Sequence, residues 1–189
     1  MMRRAGVTLL LCTLLAGCGI FSRSKSRIYS LDRIKPATPI ASVRGTPLGI
    51  DAIELPPGLD RKEVVVRQAD LRLEVRGTEQ WSAPLEPLVL HTLAFDLADR
   101  MPEGMVILPG QPKPLGAMRS VSVVFEDLAA SADRSFVLDA RWNVNQTGTP
   151  VMTHHERIVI PMQSLESAAV ATAMSQALAQ LADRMAAGL

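Results

Sequence analysis

Apolar positions along the chain recur with two different periods. Leu71, Leu73 and Val75 alternate with Arg72, Glu74 and Arg76, which predicts a half-buried strand with a charged wet face. Leu85, Val89, Leu93, Leu97 and Met101 recur every fourth residue, with Leu88 beside them, and predict one apolar helix face. Ser82 is the expected N-cap of that helix, Pro84 and Pro87 fall near its first turn, and Pro102 and Gly104 end it. A second stripe of Val170, Met174, Leu178, Leu181 and Met185 predicts a final helix from about Leu165, capped by Ser164, with alanines on its flanks.

Strands fill the spaces around these helices. Ile28–Asp32 reads as a short edge strand, Leu48–Leu55 as a strand closed by Pro56-Pro57-Gly58, and Glu63–Arg67 as a short valine-rich strand. Met105–Leu108 is a short apolar strand. Ser120–Phe125, Phe136–Val144 and Val151–Ile160 alternate with period two, and Gly148 between the last two suits a hairpin. Asp133-Arg134 reads as a turn. The order of strands, helix, strands, helix predicts an α+β fold. It would be a two-layer sandwich with a largely antiparallel sheet and two amphipathic helices.

The first residues follow another logic. Arg3 and Arg4 precede an eleven-residue, mostly apolar run from Ala5 to Leu15. That is far short of the ~20 residues a spanning helix needs, and it matches the layout of a secretory signal. Leu15-Ala16-Gly17-Cys18 resembles the bacterial lipobox, in which the chain is cut before the cysteine and its thiol is acylated. Residues 1–17 are then a signal peptide and 18–27 a lipidated Cys18 with a polar, basic tether. Residues 28–189 form one periplasmic domain. Cleavage removes Cys12, one of two cysteines, so no intramolecular disulfide is expected. Gly19, where lipoproteins retained at the inner membrane commonly carry Asp, implies sorting to the outer membrane.

Composition narrows the function classes. Twenty basic and nineteen acidic side chains give a net charge of +1, without the electrostatic footprint of a nucleic-acid binder. Catalytic spacings are absent: no His-Glu-x-x-His, Gly-x-Ser-x-Gly or phosphate-loop pattern occurs. His91 lies on the first helix. His154 and His155 are neighbours in a strand and point to opposite faces, so they do not chelate one ion together. Asp96 and Asp99 share a helix face and read as a solvated edge. No metal and no cofactor are expected beyond the covalent lipid on Cys18. Trp81, just before the first helix, reads either as a plug beneath that helix or as a partner anchor. With Arg72 and Arg76 on the charged strand face, it makes up the candidate partner contacts.

Several short segments, taken in order, resemble one family. These are Tyr29-Ser30-Leu31-Asp32 after the tether, Ile53-Glu54-Leu55-Pro56, Leu59-Asp60-Arg61, Val64-Val65-Val66-Arg67 and Trp81-Ser82-Ala83-Pro84-Leu85. The strand pair around Val123-Phe125 and Leu138-Trp142 and the alanine-rich terminal helix complete the series. The chain is similar to the ABC-type transport auxiliary lipoproteins, the PqiC-like family. The resemblance implies a non-catalytic docking subunit at the outer membrane. Its partners would be an MCE-domain periplasmic protein and inner-membrane transporter subunits, its output envelope integrity, and a homo-oligomer is compatible with that role. The alternative is a periplasmic shuttle that binds a lipid or hydrophobic ligand itself, which requires an apolar cavity between helix and sheet. An envelope hydrolase is a third reading and requires His91 or His154 to meet carboxylates in one cleft.

Overall fold

The computed structural model describes residues 25–36, 45–116, 118–146 and 151–189. Among these residues eight strands and two helices follow in the order β1 (Arg27–Tyr29), β2 (Leu48–Glu54), β3 (Glu63–Arg67), β4 (Leu73–Trp81), α1 (Leu85–Arg100), β5 (Val106–Ile107), β6 (Arg119–Ser131), β7 (Ser135–Asn145), β8 (Met152–Pro161) and α2 (Ser167–Gly188). The strands form one sheet.

β6 is its spine. One edge of β6 pairs antiparallel with β7 from Ser120↔Asn145 to Ser131↔Ser135, and β7 carries β8 in turn. The other edge is shared end to end. β2 runs parallel to the first half of β6, from Leu48↔Arg119 to Glu54↔Val124, and β3 joins its far end at Val66↔Ala130 and Arg67↔Ser131. β4 returns antiparallel beside β3, and the short strands β1 and β5 close the edges in parallel beside β4 and β2.

The expected α+β architecture with two helices is therefore present, but the sheet is not largely antiparallel. Four of its seven strand pairings are parallel, and antiparallel pairing is confined to the three hairpins β3–β4, β6–β7 and β7–β8. The reason is topological. β2 and β3 lie one after the other along β6 and run the same way, so the chain must leave the sheet before it re-enters at β6. Excursions longer than a hairpin loop give parallel neighbours. The α1 helix is part of one such excursion.

Both helices bury the stripes their spacing predicts. Leu85, Val89, Leu93 and Leu97 of α1 and Val170, Met174, Leu178 and Leu181 of α2 pack with Val121, Val123, Phe125, Phe136, Leu138 and Trp142 of the sheet. Small residues let the helices approach closely: Ala173, Ala177 and Ala182 of α2 are buried. Neither helix has the expected cap. Pro84 and Glu166 precede the first helical residues and offer no side-chain bond. Ser82 Oγ donates instead to Ser30 Oγ at 3.3 Å, and Ser164 Oγ accepts from the Glu166 N–H at 3.4 Å. No helix among the described residues is long and apolar enough to cross a membrane.

Candidate functional site

The segment after β1 is strapped across both helices by a buried polar cluster. The Asp32 N–H donates to Ser175 Oγ of α2 at 3.0 Å, and the Ile34 N–H donates to Asp96 Oδ1 of α1 at 2.9 Å. Arg100, one turn after Asp96, donates to the Ile34 and Asp96 carbonyls at 3.1 and 2.8 Å and pairs with Asp183 of α2 at 2.6 Å. Arg33 forks onto both oxygens of Asp99 and stacks over the Phe95 ring, with its guanidinium carbon 5.1 Å from the ring centroid.

Asp96 is therefore not the solvated edge its spacing suggests. Its carboxylate is fully buried, and Oδ2 has no partner among the described residues. Burial pushes it up to about 6. The Ile34 N–H and the Arg100 charge oppose that rise, and Asp99 adds to it. Asp99, three residues on, is held below the usual carboxylate range chiefly by the Arg33 fork. These two acids do not form a proton-transfer pair: one is sealed in the helix layer and the other is held by an arginine.

Sequence periodicity misreads β4. Leu71 lies in the turn before the strand and is 82% exposed. Leu73 and Val75 lie opposite Arg67 and Val65 and remain 42% and 41% exposed. Arg76 takes the helix side. Its Nη1 donates to Ser167 Oγ at 2.9 Å and to Glu79 Oε2 at 3.4 Å. Glu79 accepts from the same hydroxyl, which holds its carboxyl below the usual range. Two charged residues of β4, Arg76 and Glu79, thus brace the first residue of α2. The supposed dry side of the strand faces away from the helices.

The candidate partner contacts separate on inspection. Arg72 is open to solvent and, among the described residues, paired with Asp70 beside it. Arg76 is enclosed by the α2 start. Trp81 is 4% exposed and belongs to the core, so its ring is not available as a surface anchor. The main-chain N–H of Trp81 donates to the Lys62 carbonyl at 2.6 Å, which fixes the end of β4 against the residue before β3. Cys18 and Gly19 lie outside the described residues.

Histidines and acids meet at one place on the open sheet face. Asp139 of β7 accepts from His155 Nε2 and Arg157 Nη1, both at 2.6 Å, while Glu126 accepts from Arg141 Nε at 2.7 Å. Glu126, Asp139 and His155 place ligand atoms within 4.8 Å of one another. Arginines already stand where a cation would be drawn. Burial pushes Asp139 up, and its bonds to His155 and Arg157 more than offset this and bring it below its usual range. The cluster is an ion-pair network. His154, on the other face, stacks on Trp142 at 3.9 Å and 7°, and His91 is exposed on α1.

Space inside the fold is scarce. The cavity among Trp81, Leu85, Leu128, Phe136, Val170 and Met174 measures only about 10 Å³. Larger spaces are surface grooves with charged rims. One of about 460 Å³ lies beside Lys35, Arg100 and Asp183, and one of about 390 Å³ beside Arg27, Arg76 and Glu79.

Two solved structures share this fold. An uncharacterized protein matches with a TM-score of 0.72 at 18% identity, covering 87% of this chain and 98% of that one. Protein XCC0632 from Xanthomonas campestris matches with a TM-score of 0.63 at 16% identity, covering 84% and 91%. The intermembrane transport lipoproteins PqiC of Escherichia coli K12 and Shigella flexneri are each 24% identical over 136 residues, which is 71% of this chain and 70% of theirs. Residues 29–186 match the model of the ABC-type transport auxiliary lipoprotein component. That span runs from the end of β1 to the last turn of α2, and the chain belongs to this family of transport auxiliary lipoproteins.

Proposed function

We propose that the protein is a non-catalytic docking subunit, anchored in the outer membrane by lipid on Cys18 and sorted there with Gly19 after the cut. It meets an MCE-domain periplasmic protein of an ABC-type lipid transport system whose other subunits sit in the inner membrane. Residues 28–189 act as one periplasmic unit on a short tether.

The packed interior carries this reading over the shuttle alternative. A lipid carrier needs an apolar chamber of several hundred cubic ångströms, since pockets for small molecules run from ~300 Å³ upward. The cavity between helices and sheet at Trp81, Leu85, Phe136 and Met174 holds only about 10 Å³. The larger grooves are rimmed by charge, which suits polar contacts better than an acyl chain. The polar clusters brace secondary structure in ion pairs and hydrogen bonds, which supports a non-catalytic role.

The test is a mild-detergent pull-down from native membranes, comparing the wild-type chain with Cys18→Ala. Co-purification of an MCE-domain protein with the wild type, from outer-membrane fractions, and its loss with Cys18→Ala supports the docking role. Stoichiometric lipid without any transporter protein, even after crosslinking, overturns it in favour of the shuttle.

A further inference from the structure

We propose that the β3–β4 hairpin tip, residues 68–72, is a second membrane contact, with Leu71 dipping into the lipid surface to which Cys18 is tethered. The inference rests on the lipid-anchor reading and adds to it an orientation and a contacting residue.

The direction of the tether comes first. β1 is parallel to β4, with Arg27 opposite Glu79 and Tyr29 opposite Trp81. Residues before Arg27 therefore leave the sheet toward the start of β4. That start is Leu73, joined to β3 through the turn at 68–72. Arg67, just before the turn, is level with Ser131, the last residue of β6, so the turn stands at or beyond the end of the sheet. Tether exit and hairpin tip share one end of the molecule.

The distances agree. From Glu79 to Leu73 the strand spans at most about 20 Å at ~3.3 Å per residue, and the register shift between Glu63 and Val64 shortens it. Arg27 lies nine positions after Cys18, a stretch that reaches at most about 30 Å when extended. An acyl-anchored Cys18 can thus lie in the plane of the hairpin tip with little slack. A much longer tether would leave orientation open.

The tip is built to present an apolar side chain. Leu71 has φ 67, a left-handed conformation that branched side chains rarely adopt. The turn is closed by the Gln68 N–H to the Arg72 carbonyl at 2.8 Å and the Leu71 N–H to the Gln68 carbonyl at 3.0 Å. Glycine or asparagine would fit that backbone with less strain. Behind it Leu73 and Val75 continue the apolar strip on the open face. Arg72 on the tip is ion-paired with Asp70, and Arg134 stands beside Asp133 in the β6–β7 turn at the same end, so Leu71 and the tether carry the contact and the arginines only flank it. A lipid surface fits this combination of an apolar point, flanking arginines and a covalent anchor drawn to the same plane.

Fluorescence tests the proposal cleanly, because both native tryptophans, Trp81 and Trp142, are buried. The lipidated chain, purified from membranes, carries Leu71→Trp or Leu73→Trp; the second keeps a strand position should the first fail to fold. A third variant, Leu115→Trp, puts an equally exposed probe in the loop before β6, at the opposite end. Each is reconstituted in vesicles of phosphatidylethanolamine and phosphatidylglycerol, with and without brominated acyl chains. The expected result is a blue shift and loss of most probe emission to the bromines at residues 71 and 73, with neither at residue 115. Protein that floats with vesicles while residues 71 and 73 stay unquenched overturns the hairpin contact and leaves the anchor intact. Equal quenching at residue 115 also overturns it. Absence of lipid on Cys18, read by mass, removes the anchor reading itself and the hairpin proposal with it.

Discussion

The main-chain N–H of Ile34 ends on the buried carboxylate of Asp96, 2.9 Å away and 62 residues along the chain. Through this bond the segment behind the tether is fastened to the middle of α1. Arg100 completes the fastening by donating to the carbonyl of the same Ile34. A pull on the chain before Arg27 is thus transmitted through β1 and this strap into the helix layer.

Asp96 gives the strap a pH signature. Its pKa is about 6 in the folded chain against an ordinary 3.8, so the native state holds this proton more tightly than the unfolded state. Its contribution to stability is therefore present at low pH and lost as pH rises from about 4 through about 6. Asp96→Asn should flatten that slope and make the protein more stable at pH 8, by up to roughly 3 kcal/mol. Urea unfolding at pH 5 and pH 8 checks this; the same slope in both proteins would show that Asp96 is not responsible.

The opposite sign holds below pH 4. Asp99 and Asp139 titrate below their ordinary range in the folded state. Their stabilising contribution is present above the ordinary carboxylate pKa and is lost as pH falls through the depressed values. On these groups alone the wild type should therefore be most stable near about pH 4, with stability falling on both sides. Arg33→Gln should remove part of that contribution, so the variant is less stable than the wild type at pH 7 and the difference shrinks as pH falls below about 4, read by urea unfolding across the series; a difference that stays constant with pH would contradict this.

Leu71→Gly removes the left-handed strain and should raise stability by about 1 kcal/mol, which is roughly 2–4 °C in Tm for a chain of this size. A drop in Tm would mean that the leucine makes contacts in the free protein that outweigh its backbone cost.

Trp81 and Arg72 should behave in opposite ways. Truncating Trp81 to Ala empties a core position and should cost about 3–5 kcal/mol. Arg72→Ala touches only the ion pair with Asp70 and should change stability by less than about 0.5 kcal/mol. Chemical denaturation of the two variants decides between the core and surface assignments.

Much of this was legible in the sequence, for local reasons. Glu63–Arg67 is a strand because three β-branched residues stand between turn signals. The α1 and α2 stripes follow from four-residue spacing that holds over several turns. Parallel pairing of β2 with β6 was not legible, because partners some seventy residues apart are chosen by packing and not by local pattern. Arg76 misled for a related reason. The β3–β4 register shifts between Glu63 and Val64, and its partner Ser167 lies 91 residues away. Asp96 looks like any exposed helix acid until the strap is laid over it.

We propose that this chain docks a transporter at a membrane. Photocrosslinking in intact cells tests it most directly, with a benzophenone amino acid placed at Arg72, Val75, Val124 or Val159 on the open sheet surface. The docking account predicts a crosslink to an MCE-domain protein from at least one of these positions, lost when Cys18 is replaced by Ala. Crosslinks confined to lipid, or to proteins outside any transport system, would contradict it.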